Sequence, residues 1–305
     1  MTVLLGLPRD RRAIAALQLA AQFARSLHED LVVCTVVPAP WPPGVGRVDT
    51  EYQEHVDRLA AEALESAREA VPADVGATFH VERARSIPGG LVDMAERFGA
   101  QLLVLGTAKG GGLGRVAFGS VTERLLHSSP IPVAIAPRGF RCRPTARVTR
   151  VTAAYGASEE SAELVVAAAA VASRLGVALR VASFAVRPRT PLTAGIGSRA
   201  EAAVMTEWTK DVARAQQEVL DRVARLPEPP PSSAVIGRGM DWDDALEDVD
   251  WAEGDVLAVG SSSVGPVARV FLGSRSSKIV RSSPVPVVVV PRGAAEELAD
   301  KAAEG

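Results

Sequence analysis

One stretch of this 305-residue chain occurs twice, and the repeat limits the architectures open to it. The first copy runs from Gly106 to Ser120 (GTAKGGGLGRVAFGS), the second from Gly260 to Ser274 (GSSSVGPVARVFLGS). Each follows a short apolar run, Leu102–Leu105 or Val256–Val259. Each leads through a helix-like segment to Ser-Ser-Pro and a second apolar run ending in Pro-Arg-Gly. From Gly106 to Gly139 the offset is a constant 154 residues without a gap. Gly119-Ser120 falls on Gly273-Ser274, Ser128-Ser129-Pro130 on Ser282-Ser283-Pro284, and Pro137-Arg138-Gly139 on Pro291-Arg292-Gly293. A period of about 150 residues is one domain of ordinary size, so the chain reads as two. A strand, a Gly/Ser loop and a helix N-terminus in that order also make an anion seat.

The rest of each half alternates between two kinds of segment. In the first, apolar runs at 2–6, 31–37, 77–81, 102–105 and 133–136 predict strands. Between them, helical spacing predicts helices from Arg11 with Asp10 as cap, over 51–70 with Val56, Leu59, Ala63 and Ala67 on one face, over 88–98 with Pro88 in the first turn, and from Gly119 to His127. The second half predicts strands at 150–155, 177–186, 233–236, 256–259 and 287–290. Its helices are expected at 158–175 with Ser158 as cap, 200–226, 241–249 and 273–281. Continuous apolar strands alternating with amphipathic helices predict a parallel sheet covered on both faces. Ligands of such sheets sit beyond the strand C-termini, at the switch in strand order, and both glycine loops follow a fourth strand. The expected boundaries are 1–139 and 148–293 for the domains, 140–147 for the linker and 294–305 for a tail. Proline- and glycine-rich loops at 38–46 and 187–198 occupy matching places in the halves.

Composition narrows the partners. Net charge is −2, and splitting near residue 146 leaves the halves near +1 and −3. Neither is a basic nucleic-acid footprint. Cys34 and Cys142 form no CxxC and no disulfide framework, which suits a reducing cytoplasm. The start lacks the charge pattern of a signal peptide, and no 18-residue apolar run is present, so no membrane partner is expected. Asp241 to Asp255 carries eight acids and no base. It lacks EF-hand spacing and reads as a solvated helix face, with Trp242 and Trp251 as packing anchors.

At the glycine loops both halves resemble the universal stress protein family, and the whole chain resembles a tandem universal stress protein over about 290 of its residues. The resemblance implies two doubly wound, five-stranded parallel-sheet domains of the α/β, Rossmann-like nucleotide-binding (α-hydrolase-like) type, related by a pseudo-two-fold axis. ATP-binding members show Gly, two residues, Gly, nine residues, then Gly-Ser or Gly-Thr. Here Lys109 and Ser263 stand at the second Gly, while Gly119-Ser120 and Gly273-Ser274 keep their places. Members also carry an Asp near the end of strand one. Tyr155 takes that position in the second half, and Leu7 or Pro8 in the first. The implied nucleotide contacts are Gly106, Thr107, Lys109, Gly110, Gly111, Gly112, Gly119, Ser120 and Val121, with Gly260, Ser261, Ser263, Gly265, Gly273, Ser274 and Arg275 in the second copy.

Glycines let the backbone approach phosphates, and Lys109, the only lysine before Lys210, would add a point charge; its alternative is an exposed side chain on a turn. Pro266 removes a donor from the second loop, which makes the first the better seat. Ser120 and Ser274 read either as helix N-caps or as phosphate donors. His28, His55, His80 and His127 lie on separate elements, and no nucleophile motif or metal signature emerges. The resemblance therefore implies a non-enzymatic cytoplasmic stress-response regulator that binds ATP, with Mg2+, or another adenine nucleotide, weakly or in one half only. A second reading stays open, a nucleotide-free scaffold or partner-docking protein with vestigial loops. An ATP-pyrophosphate-cleaving ligase of similar topology would need a phosphate loop after strand one, and Gly6–Asp10 is not one. In the family the fifth strands pair between domains. The same pairing inside one chain, or a homodimer, is the expected assembly.

Overall fold

The computed structural model describes residues 2–9, 13–39, 48–108, 110, 112–186, 198–263, 270–271 and 273–297. The chain divides into two compact units, Met1–Arg147 with Val264–Phe271, and Val148–Ser263 with Leu272–Gly305. In the first, β1 (Thr2–Gly6), α1 (Ile14–Leu27), β2 (Asp30–Pro38), α2 (Val48–Ala70), β3 (Ala77–Ala84), α3 (Ile87–Arg97), β4 (Ala100–Gly106), α4 (Ser120–Ser128) and β5 (Val133–Ala136) follow in order. The sheet order β3-β2-β1-β4-β5 is parallel throughout. The chain leaves β1 toward β2 and β3, then returns to the other side of β1 for β4. The switch point therefore lies between β1 and β4, where a ligand crevice opens in such sheets.

The second unit contains β6 (Arg150–Ala154), α5 (Glu159–Leu175), β7 (Ala178–Val186), α6 (Ser198–Val223), β8 (Ser232–Gly239), α7 (Trp242–Glu247), β9 (Asp255–Gly260), β10 (Ser262–Ser263), α8 (Ser274–Ser282) and β12 (Val287–Val290), while β11 (Val270–Phe271) groups with the first unit. Its parallel order is β12-β9-β6-β7-β8, with the switch between β6 and β9. The fold is α/β and Rossmann-like. Each sheet is the core of its unit, because helices on both faces exclude water from apolar strands. Leu4, Leu5, Leu31, Leu103 and Ile135 are fully buried in the first unit, and Leu179, Leu246 and Leu257 in the second. Each such side chain contributes about 1.5–3 kcal/mol relative to exposure.

Local chemistry sets the element ends. Ser158 caps α5 by accepting from Ser161 N–H, and the Ser161 hydroxyl accepts from Ser158 N–H, closing a capping box. Ser86 caps α3 ahead of Pro88. The repeated Ser-Ser-Pro has one structural task. Ser129 Oγ donates to Ile131 O at 2.7 Å and accepts from its N–H, and Ser283 does the same with Val285 at 2.8 Å. Both serines are buried, so each hydroxyl supplies the turn with partners that water cannot.

Three expectations need correction. The buried face of α2 is Val56, Ala60, Leu64 and Ala67, not the set with Leu59 and Ala63. The acidic run is no solvated face throughout. Asp255 is 2% exposed and accepts from Arg150 Nε (3.0 Å) and Arg150 Nη2 (2.5 Å), while Arg180 Nη2 lies 3.4 Å away. Arg180 also stacks 4.6 Å above the Trp251 ring. Asp241 caps α7, and Asp244 and Asp248 accept the N–H groups of Met240 and Arg238. These acids serve backbone donors that strand and helix leave open. Finally, Ser120 and Ser274 are the first helical residues and cap nothing. The N-caps are Gly119 and Gly273, which have no side chain to cap with. Asp10, expected as a cap, lies outside the described residues, as do most of the 38–46 and 187–198 loops. Residues 292–297 are helical, so the expected tail begins as a helix.

Candidate functional site

In the first unit a cleft of ≈ 1130 Å³ opens at the switch point. Its floor is the C-terminal end of the sheet, with Gly6 of β1 and Leu7 just after it, Cys34 and Val36 from β2, and Leu105 and Gly106 from β4. Val56 and Leu59 of α2 and Ile87 and Leu91 of α3 form an apolar wall, and Tyr52 stands half-exposed at the mouth. The polar side is Thr107, Gly119, Ser120, Val121 and Thr122, with Arg9 and Arg138. Leu59 escapes the core because it faces this space.

The glycine loop is braced by its own hydrogen bonds. Thr107 Oγ1 donates to Ala117 O at 3.0 Å and accepts from Ala117 N–H at 2.5 Å, while Ala108 N–H donates to the same carbonyl at 2.9 Å. Gly114 N–H donates to Arg138 O, and Arg138 N–H to Arg115 O. These bonds hold the loop open beside the helix that follows it. At that helix, Gly119 O accepts from Glu123 N–H, but no side chain caps the first turn. Its leading N–H groups therefore point outward without an intrahelical partner, toward the positive end of the helix dipole. Neither packing nor a left-handed φ demands glycine at 106 or 119. A Cβ at Gly106 would meet Ala16 Cβ at 3.7 Å, and one at Gly119 would meet Ala108 Cβ at 3.4 Å. What glycine provides there is bare backbone facing the cleft.

Of the residues singled out in the first loop, Gly106, Thr107, Gly119, Ser120 and Val121 come together around the cleft. Gly110 and Gly112 are described but do not line it, and Lys109 and Gly111 lie outside the described residues. Arg9, Cys34, Tyr52 and His55 line the cleft without having been singled out for it; single-residue spacing carries no signal for them. Arg138 belonged to the repeated Pro-Arg-Gly, and that was the available clue. The strand-one ambiguity is resolved by register. Leu7 N–H donates to Cys34 O and Tyr155 N–H to Ala182 O, both at 2.8 Å, so Leu7 is the counterpart of Tyr155.

Deep in the floor, burial pushes the Cys34 thiol up to about 12, with the field of Glu82 adding to it. His55 accepts from Arg58 through Nδ1 at 2.9 Å, since a guanidinium can only donate.

The second unit fills the corresponding place differently. Gly260, Ser261, Gly273, Ser274 and Arg275 are described, Ser263 lies in β10, and Gly265 falls outside the described residues. Ser276 Oγ donates to Gly260 O at 3.1 Å. Ser261 Oγ is buried without a hydrogen-bond partner. Beside this loop, Gly260 faces Leu164 as Gly106 faces Ala16, so Glu163 stands where the cleft of the first unit has Ala15. Burial raises the Glu163 carboxyl above the usual range, and the charge of Glu296 adds to the shift. One Glu163 oxygen is buried without a partner. No group of three or more His, Cys, Asp or Glu among the described residues could hold a metal ion. No described helix is long and apolar enough to cross a membrane.

Strand order, switch-point cleft and the uncapped helix behind a glycine loop define a Rossmann-like α/β protein with an open crevice at the sheet edge of its first unit. The universal stress protein family profile matches residues 1–137 and again 147–291. A universal stress protein of Mycobacterium tuberculosis is 42% identical over 298 residues, 95% of this chain and 100% of that one. One from Mycolicibacterium smegmatis is 28% identical over 303 residues, 94% and 96% of the two chains. A universal stress protein structure from Archaeoglobus fulgidus shares the fold with a TM-score of 0.57 at 20% identity, covering 95% of this chain and 98% of that one. The chain belongs to the universal stress protein family.

Proposed function

We propose that the first unit binds an adenine nucleotide and that occupancy, rather than turnover, is the signal this protein passes on. The observation that carries the reading is the uncapped N-terminus of α4 opening, beside glycines the packing does not require, into an apolar-walled cleft. Phosphates satisfy the free N–H groups, and the wall of Val56, Leu59, Ile87 and Leu91 takes the base. ATP is one nucleotide of this class. Mg2+ would enter as counter-ion of the phosphates.

Glu163 disfavours the same ligand in the second unit, because a polyphosphate there meets a carboxyl where the first unit presents a methyl group. Binding in one half follows. On assembly, the proposal is that β5 and β12 pair within one chain; an experimental structure with these strands on opposite outer edges would reject it.

Calorimetric titration with ATP and magnesium tests the function. Gly119→Glu places a carboxylate at the seat and should abolish the heat, whereas Gly273→Glu should leave it. No heat from ATP or any other adenine nucleotide with the unmodified protein would sink the nucleotide reading and favour the scaffold. ATP hydrolysis that Gly119→Glu removes would make the protein an enzyme and overturn the regulatory half of the proposal.

A further inference from the structure

The cleft of the first unit carries a second cation that the phosphate seat does not use. Arg9 lies three residues past β1 and lines the cleft half-buried; among the described residues it has no hydrogen-bond or ion-pair partner. An unpaired guanidinium at the edge of a cleft favours an anion there. Its position is fixed by topology. β1 and β4 are neighbours in the sheet, so the end carrying Arg9 and the end leading into the glycine loop are rooted about 5 Å apart. Arg9 and the start of α4 line the same cleft, so one ligand can reach both. No described residue lining the cleft is a carboxylate. In dinucleotide-binding α/β folds the side chain near the sugar decides the ligand: an acid takes a free hydroxyl and an arginine takes a phosphate.

We propose that this cleft is built for an adenine nucleotide carrying a second phosphate on its ribose, a 3′,5′- or 2′,5′-bisphosphate unit. The 5′-phosphate sits on the α4 N-terminus and the sugar phosphate on Arg9. The guanidinium fork suits a phosphate through two parallel hydrogen bonds. The inference rests on the nucleotide reading of the same cleft.

The test is calorimetry on the full chain with AMP, adenosine 3′,5′-bisphosphate, adenosine 2′,5′-bisphosphate and ATP, repeated with Arg9→Ala and Arg9→Lys. At least one bisphosphate should bind about tenfold more tightly than AMP, the advantage of one charge-assisted contact. Arg9→Ala should erase that ratio, and Arg9→Lys should keep part of it. Bisphosphates that bind no better than AMP overturn the proposal while the nucleotide reading stands, as does a ratio that survives in Arg9→Ala. If none of the four nucleotides gives heat, both readings fall together.

Discussion

Cys34 and Asp255 are buried ionisable groups with opposite solutions. Cys34 stays neutral: with its thiol pushed to about 12, it holds its proton in the folded protein where an unfolded chain loses it near 8.5. The folded state is thus favoured below about 8.5 and loses that advantage as pH rises toward 12, by about 1.4 kcal/mol per unit. Cys34→Ala should flatten the alkaline limb of the stability curve by that slope, measured by urea unfolding from pH 8 to 10. A thiol reagent at pH 8 should leave Cys34 untouched in the native protein. Asp255 is ion-paired instead, held by Arg150 and near Arg180. Burial, then the charge of Arg150, lowers the Arg180 guanidinium from its ordinary value, so Asp255 is what keeps the pair of arginines tolerable. Asp255→Ala should cost about 3–5 kcal/mol by leaving buried positive charge uncompensated, and an unfolding shift under 1 kcal/mol would refute that role. Neither environment was legible in the sequence. Asp255 read as one acid among eight, because linear order does not show that β6 and β7 each bring an arginine to it. The same limit hid Arg9, Tyr52 and His55. The glycine loop was legible because its chemistry is contiguous.

Elements were far more legible than their contacts. β5 and β12 fall on the residues expected, as does α5 with its Ser158 cap. Apolar runs and capping chemistry are local, so the sequence states them directly. The face of α2 was read one position off, since Leu59 belongs to a cleft that only the folded sheet creates. α7 shows packing no pattern announces. A Cβ on Gly237 would lie 2.2 Å from Ala245 O, and one on Gly239 would lie 2.3 Å from Ala245 N. Helix and strand meet there backbone to backbone. Gly237→Ala should therefore destabilise the protein by about 3 kcal/mol through forced separation. Gly156→Ala, with nothing within 4 Å of its Cβ, should stay within about 0.5 kcal/mol. Equal melting temperatures for the two variants would contradict this account.

For the whole chain, what counts is where one folding unit ends, and hydrogen bonds decide that better than composition does. The polar, proline-containing stretch after Gly139 reads as a linker, yet it is fastened to α1. Cys142 N–H donates to Gln18 Oε1 at 3.3 Å, Arg25 Nη1 to Ala146 O at 2.9 Å, Gln22 Nε2 to Arg147 O at 3.0 Å, and Arg147 Nη1 to Arg25 O at 2.5 Å. Gln22 and Arg25 are buried on a helix where polar side chains would otherwise be a liability, and the linker carbonyls are their acceptors. Arg25 is also held to Asp74, and that pairing raises its basicity further. Residues 140–147 thus complete the first unit instead of merely leaving it. A chain ending at Arg147 should be more stable than one ending at Gly139 by about 2–4 kcal/mol, four hydrogen bonds at about 0.5–1.5 kcal/mol each less the entropy of ordering eight residues that are partly fixed already. Urea unfolding of the two fragments under the same conditions reads the difference. Coincident transitions would show that the stretch is a tether, and that Gln22 and Arg25 find water when it is gone.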